Sequence, residues 1–322
     1  MRETQEITPG DQALLATGHW PASRRKMGLG LMLPVSEGAA FGETPHFRDM
    51  VEMARVARDV GIEALWFADH FTFGNEEEGW RGAWDCWTMM AGVAAAIEGL
   101  QIGALVACTG YRNPGVIAKM AEAIDDISDG RFILGLGAGW HKPEYDMFGM
   151  PFDHRVTRFD EAIRIIHPLL RTGEANVQGR FFQATNALNR PRGPRPAGPP
   201  ILVGSRGRRM MRLLAQYADA WNTVWHKDTS RIPEQMERLD EACLDVGRDP
   251  ATLVRTVGGN IAMDGYMGRR PDPIEGDDDA KAEMIAQFAD LGMRHFICGL
   301  DPCTPASIEA FAPVIERLDR AE

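Results

Sequence analysis

Ile102-Gly-Ala-Leu-Val-Ala107, Asn113-Pro-Gly-Val-Ile-Ala-Lys-Met-Ala-Glu-Ala-Ile-Asp-Asp-Ile127 and Phe132-Ile-Leu-Gly-Leu136 follow one another closely along the chain. The outer two pieces are short apolar runs, the pattern of strands buried on both faces. The middle piece repeats its apolar residues at helical spacing. Asn113 stands where a side-chain oxygen can cap the first turn, and Pro114 takes the first helical position, where its missing N–H is no loss. Strand, capped helix and strand in this order form a unit of a parallel sheet.

The same rhythm extends in both directions. Towards the N-terminus lie a strand at 27–33, a helix at 45–60 ended by Gly61, a strand at 64–68 and a helix at 85–96. Towards the C-terminus come a helix at 158–170, a strand at 201–203, a helix at 208–217, a strand at 220–224 and a helix at 232–246. A strand at 254–263, a helix at 280–291, a strand at 295–298 and a helix at 307–318 complete the series. The longest interruption is the Pro/Gly/Arg-rich stretch 172–200, within which 179–182 reads as a short extra strand; an acidic loop spans 264–278. Strand–helix units in strict succession predict an α/β fold, a (β/α)8 TIM barrel with an insertion between strands 4 and 5. A Rossmann-type sheet with a second domain is the competing arrangement. Residues 27–322 are expected to form one domain, preceded by an N-terminal extension, 1–26.

The 322 residues carry a formal net charge of -11, which argues against a general nucleic-acid binder while leaving room for a local anion site. No apolar run approaches the roughly 18 residues of a membrane span, and the first 26 residues lack the apolar core of a signal peptide. The five cysteines show no C-x-x-C spacing and read as reduced thiols of a cytoplasmic protein. Metal-ligand spacings, a G-x-S-x-G elbow and a phosphate-loop lysine are all missing from the sequence, which points to an organic cofactor as carrier of the chemistry. The expected partner is a small-molecule substrate, with no nucleic acid, membrane or metal.

Three strand ends hold candidate site residues. Arg131-Phe-Ile-Leu-Gly-Leu-Gly-Ala-Gly-Trp140 ends a buried strand in a glycine cluster, which lets backbone approach a ligand or simply makes a tight turn. It is not a dinucleotide fingerprint, because Trp140 stands where the third glycine belongs. Ile201-Leu-Val-Gly-Ser-Arg-Gly207 leads at once into a helix, so Gly204, Ser205, Arg206 and Gly207 suit a phosphate or form an ordinary strand–helix turn. Trp66-Phe-Ala-Asp-His-Phe71 puts Asp69 and His70 at a strand end. There His70 is a natural proton donor or acceptor, or a satisfied histidine beside a capping Asp69.

With these residues in place, the chain resembles the luciferase-like monooxygenase superfamily, and within it the coenzyme F420-dependent oxidoreductases. The resemblance rests on Ala68-Asp-His-Phe71, Cys86-Trp-Thr88, Gly103-Ala-Leu-Val106, Tyr111-Arg-Asn-Pro114, Ala118-Lys-Met-Ala121 and Asp125-Asp-Ile-Ser128. It continues through Leu134-Gly-Leu-Gly-Ala-Gly-Trp140, Glu144-Tyr145, Phe148-Gly149, Pro200-Ile-Leu-Val-Gly204, Tyr217-Ala-Asp219 and Trp221-Asn222. It implies a (β/α)8 barrel that binds coenzyme F420, or alternatively FMN, across the mouth formed by the strand ends. It also implies that Leu105 and Val106 form a bulge with a non-prolyl cis peptide behind the ring, that Asp69 bonds the ring's polar edge, and that His70 lies near the reactive carbon. Ala138, Gly139 and Trp140 would flank the ribityl chain, and Gly204, Ser205, Arg206 and Gly207, with Tyr145, would take the phosphate.

The implied reaction is hydride transfer to or from a small organic substrate, with His70 managing the proton. An FMN monooxygenase using dioxygen is the alternative, and a non-catalytic cofactor-binding barrel a further one. The substrate pocket is expected among Trp80, Trp84, Trp140 and the 264–278 loop. Family analogy implies a homodimer.

Overall fold

The structure, a computed structural model, describes residues 20–39, 42–77 and 79–320. Eight parallel strands form its centre: β1 (Gly28–Met32), β2 (Ala64–Phe67), β3 (Gln101–Ala104), β4 (Phe132–Gly137), β5 (Ile201–Gly204), β6 (Ala220–Thr223), β7 (Val254–Ala262) and β8 (His295–Asp301). Each pairs with its neighbour in sequence. The ring is closed by β8 on β1, with Gly28 opposite His295, and by β5 on β4, with Ile201 opposite Leu134. The expected barrel is therefore the fold, and the open doubly wound sheet is set aside.

Around the barrel run α1 (Phe47–Asp59), α2 (Cys86–Ala96), α3 (Pro114–Ile127), α4 (Arg155–Arg171), α5 (Arg208–Tyr217), α6 (Ile232–Asp245), α7 (Asp278–Asp290) and α8 (Ala312–Arg320). Their starts follow from capping chemistry. Asp85 accepts the N–H of Thr88, Asn113 that of Gly115 and Asp277 that of Ala280, each satisfying a first-turn donor. On α5 the buried face is Met210, Met211, Leu213 and Leu214, while Arg208, Arg209 and Arg212 face water.

The barrel floor is filled rather than open. Trp66 is completely buried, and its indole N–H donates to His295 Nε2 at 3.0 Å. Space for that indole comes from missing side chains. A Cβ at Gly30 would fall 2.5 Å from Trp66 Nε1, and one at Gly103 2.7 Å from Trp66 Cζ3. Burial keeps His295 neutral, with its pKa pushed down to about 3.

Three features differ from the sequence reading. The strand expected at 102–107 is interrupted: β3 stops at Ala104 and Ala107–Cys108 then rejoins β4, while the Leu105-Val106 peptide between them is cis, as the resemblance implied. Residues 179–182 are a turn and not a strand. Glu174–Gln178 and Gln183–Leu188 pair antiparallel on either side of them. The buried Glu161 carboxylate draws the turn onto α4 by accepting the N–H groups of Arg180, Phe181 and Phe182 at 3.0, 2.7 and 2.9 Å. A second hairpin, Thr72–Asn75 with Gly79–Gly82, follows β2 without having been expected.

Of the expected extension 1–26, residues 1–19 lie outside the described residues. Just ahead of β1, Arg25 is buried; it donates to the Gly61 carbonyl at 2.7 Å and pairs with Glu63 and Asp319. Among the described residues no helix is long and apolar enough to cross a membrane.

Candidate functional site

The C-terminal ends of the strands open onto a cavity of about 830 Å³. Its wall includes Asp69 and His70 from the end of β2, Leu105 and Val106 after β3, Ala138, Gly139 and Trp140 after β4, and Gly204, Ser205, Arg206 and Gly207 after β5. Segments far apart in the chain thus converge on one rim. Three expected residues do not join them. Tyr145 is fully buried, its hydroxyl 3.0 Å from Cys108 Sγ and 3.3 Å from the Ala138 carbonyl, so it cannot reach a phosphate in the cavity. Trp80 stacks its edge towards His141, and Trp84 donates its N–H to the Pro45 carbonyl at 2.8 Å; neither lines the cavity. Trp140 does, as do Arg269 and Arg270 from the 264–278 loop.

Asp69 is occupied from within. Its carboxylate takes two N–H bonds from Arg112 Nη1, at 3.0 and 2.8 Å, and the Cys108 N–H at 2.9 Å. Arg112 reaches on to Asp85 at 2.8 Å, and its guanidinium lies 5.7 Å from the ring centres of both Phe71 and Trp87. Burial raises the Asp69 carboxyl against the opposing pull of Arg112 and the Cys108 N–H. A carboxylate with these three donors fastens the segment after β3 to the end of β2. Asp69 lines the cavity while its carboxylate holds the 105–108 backbone in place.

His70 is held by a residue that the sequence reading left without a role. Glu144 is fully buried in the short helix Lys142–Met147. One oxygen accepts the backbone N–H groups of Phe71 and Thr72, at 2.5 and 3.0 Å. The other meets His70 Nδ1 at 2.8 Å and the Tyr111 hydroxyl at 2.5 Å. Burial alone would raise this carboxyl, but the His70, Tyr111 and Thr72 donors outweigh it and hold it below its ordinary range. Burial and the same carboxylate push the Tyr111 phenol well up, so it remains a donor. With Nδ1–H given to Glu144, the other ring nitrogen of His70 is the one left for the cavity.

The chain brings Glu144 there through a tight turn. Gly139 has φ +77°, a left-handed conformation, and a Cβ on it would fall 2.0 Å from the Tyr145 hydroxyl. Pro143 sits in the first turn of Lys142–Met147, where proline is favoured.

Gly135, Gly137 and Gly204 make room for protein. A Cβ at Gly135 would strike the Ala104 carbonyl at 1.9 Å, and at Gly137 or Gly204 it would meet the Val106 methyls at 2.6 or 3.2 Å. The Val106 side chain therefore sits between the ends of β4 and β5, and the cis Leu105-Val106 segment is clasped there.

On the β5 side the charges are unmatched. Among the described residues Arg206 makes no ion pair or side-chain hydrogen bond, and burial together with the nearby Arg231 depresses its pKa. Burial, Arg206 and Arg231 also push His226 down to about 4. The His226 ring is bonded to Thr223 Oγ1 at 2.9 Å, and that hydroxyl donates to Gln235 Oε1 at 2.7 Å. Beside this cluster α5 begins at Gly207 with no side-chain cap. Two guanidiniums thus lie beside a helix start without a side-chain cap, with Asp228 the carboxylate that opposes them at His226.

Comparison with known proteins places the chain. The profile of a family described as luciferase-like monooxygenase matches residues 27–319. Pyrimidine monooxygenase RutA of Methylorubrum populi is 30% identical over 248 residues, covering 72% of this chain and 65% of that protein, so the match spans under two thirds of the relative's length. Among solved structures, the coenzyme F420-dependent tetrahydromethanopterin reductase of Methanopyrus kandleri superposes with a TM-score of 0.73 at 17% identity, covering 91% of this chain and 99% of that one. EDTA monooxygenase (EmoA) from Chelativorans sp. BNC1 gives 0.77 at 15% identity, covering 92% and 94%. At such identities these two structures establish the fold alone.

Proposed function

This chain belongs to the luciferase-like monooxygenase family, and from that premise we propose that it is an F420-dependent oxidoreductase moving hydride to or from a small organic substrate. The observation that carries the reading is one cavity with an unmatched cationic end at Arg206 and a carboxylate-backed histidine, His70, at another part of its wall. The residues present fit a phosphate-bearing ring cofactor. The Ser205 hydroxyl and the Arg206 guanidinium, on the backbone between Gly204 and Gly207, would hold its phosphate. Leu105 and Val106 would back the ring, and Ala138, Gly139 and Trp140 would flank the linking chain.

When bound, the cofactor supplies hydride chemistry that no side chain can. The protein's own share is orientation, exclusion of water and handling of the proton. His70 accepts a proton on Nε2, and Glu144 stabilises the resulting imidazolium through Nδ1. Asp69 contributes by holding Cys108 and Arg112 in place.

A second reading, an FMN monooxygenase that uses dioxygen, is favoured by the 30% identity to a protein named as a pyrimidine monooxygenase. One experiment separates the two. Purified protein is titrated with coenzyme F420 and with FMN, and the reduced forms are followed for reoxidation by a panel of substrates with and without dioxygen. The proposal expects F420 to bind and its reoxidation to need substrate but not dioxygen. Tight binding of FMN alone, with oxygen uptake, would replace it by the monooxygenase. Binding without turnover of either would leave a non-catalytic barrel.

A further inference from the structure

Between the β5 arc that carries Arg206 and the β2 arc that carries His70, the mouth is bounded by the 264–278 loop and the end of β8. Arg269 and Arg270 from that loop line the cavity together with Trp225 and Asp301. The base of Arg270 is fixed with care. Asp301 Oδ2 accepts the backbone N–H groups of Arg269 and Arg270 at 2.8 and 3.1 Å, and the Tyr266 hydroxyl donates to the Arg270 carbonyl at 2.8 Å. Asn260 Nδ2 donates to the next carbonyl, that of Pro271, at 2.8 Å.

The side chain then folds over β8 into space left by a glycine. A Cβ at Gly299 would lie 2.9 Å from Arg270 Nη1 and 2.8 Å from Asn260 Oδ1. That oxygen belongs to a residue only 2% exposed and has no hydrogen-bond partner. The guanidinium lies 5.6 Å from the centre of the Trp225 ring.

What the Arg270 guanidinium lacks is an acceptor. Among the described residues neither it nor that of Arg269 makes a side-chain hydrogen bond or ion pair. Asp301, the carboxylate at hand, has Oδ2 committed to main chain. Burial depresses the Arg270 pKa against the opposing pull of Asp301 and Cys303. A half-buried guanidinium without a hydrogen-bond acceptor gains when another group completes its shell. The fork geometry of arginine matches a carboxylate, and the indole face beside it suits a flat body.

We propose that Arg270 and Trp225 form the substrate-recognition end of the cavity and select a small planar molecule bearing a carboxylate. This deepens the oxidoreductase reading and rests on it for the word substrate; the site itself stands on the geometry of the loop. The test uses the full chain, with benzoate as probe and benzamide as its neutral counterpart, measured by calorimetry.

Benzoate is expected to bind at least about tenfold more tightly than benzamide. Arg270→Gln should erase that preference and leave the affinity for FMN and F420 unchanged. Arg270→Lys, which keeps the charge but not the fork, should retain an intermediate preference, provided thermal melting shows both variants folded. Equal binding of the two probes, or a preference that survives Arg270→Gln, would overturn the proposal. So would a tenfold loss of cofactor affinity in Arg270→Gln, because the guanidinium would then belong to the cofactor. If neither cofactor binds the wild-type chain but an Arg270-dependent preference for benzoate remains, the oxidoreductase reading fails and the carboxylate site stands.

Discussion

The two arcs of the barrel mouth differ in how most of their charges are met. Along β2 to β4 every buried carboxylate is matched inside the protein: Asp69 by Arg112 and the Cys108 N–H, Glu144 by His70, Tyr111 and two backbone N–H groups. Along β5 to β8, Arg206, Arg269 and Arg270 reach the same cavity without an ion-pair partner among the described residues. Matched charges of this kind fix the shape of a site, because removing one partner strands the other in low dielectric. Unmatched cations weaken the fold slightly and gain only when an anion arrives. The carboxylates of the first arc therefore act as scaffold, and the cations of the second are those that would gain from an arriving anion.

That division predicts opposite consequences for substitutions a short distance apart. The largest effect belongs to Glu144→Ala, which leaves the donors of Phe71, Thr72, Tyr111 and His70 without their acceptor. A loss of about 3–5 kcal/mol in urea unfolding is expected, and a loss below about 1 kcal/mol would erase the distinction between the arcs. Asp69→Ala comes next, at about 3 kcal/mol or less, because Asp85 still engages Arg112. Arg206→Leu on the other arc should change stability by no more than about 0.5 kcal/mol, or raise it, by the same unfolding measurement.

The same division also governs a titration. His226 is held at about 4 in the fold, below its ordinary value, so the unfolded chain takes up that proton first. Its contribution to stability is thus lost as pH falls from about 6.5 towards 4 and changes little outside that window. Inorganic phosphate bound at Arg206 would offset the repulsion from Arg206 and Arg231. The His226 pKa, followed by NMR, should then rise towards its ordinary value. A pKa indifferent to phosphate would mean that the anion does not bind there.

Much of the fold was legible because its signals are local. Short apolar runs marked the strands, and Asp85, Asn113 and Gly61 marked helix ends by chemistry that needs no partner far away. The segments meeting at the mouth were legible too, since polar residues after an apolar strand have one rim to occupy. What escaped depends on contacts across the fold. Glu144 became the hub of the β2 end only because Gly139 turns the chain back over it, in a helix of six residues too short to stand out in the sequence. Gly135, Gly137 and Gly204 invite a ligand when read in sequence, whereas the space they leave is taken by Ala104 and Val106. The turn at 179–182 looked like a strand because its partner, Glu161, lies on a helix read separately.

The claim that the unmatched arc holds an anionic cofactor is tested most directly by fluorescence titration of F420 and of FMN against the wild-type chain and Arg206→Leu. At least one of the two should bind saturably, and its affinity should fall by about tenfold or more in the variant, the value of one charge-assisted contact. Equal affinity in the two proteins, or no binding of either cofactor to the wild type, would contradict it.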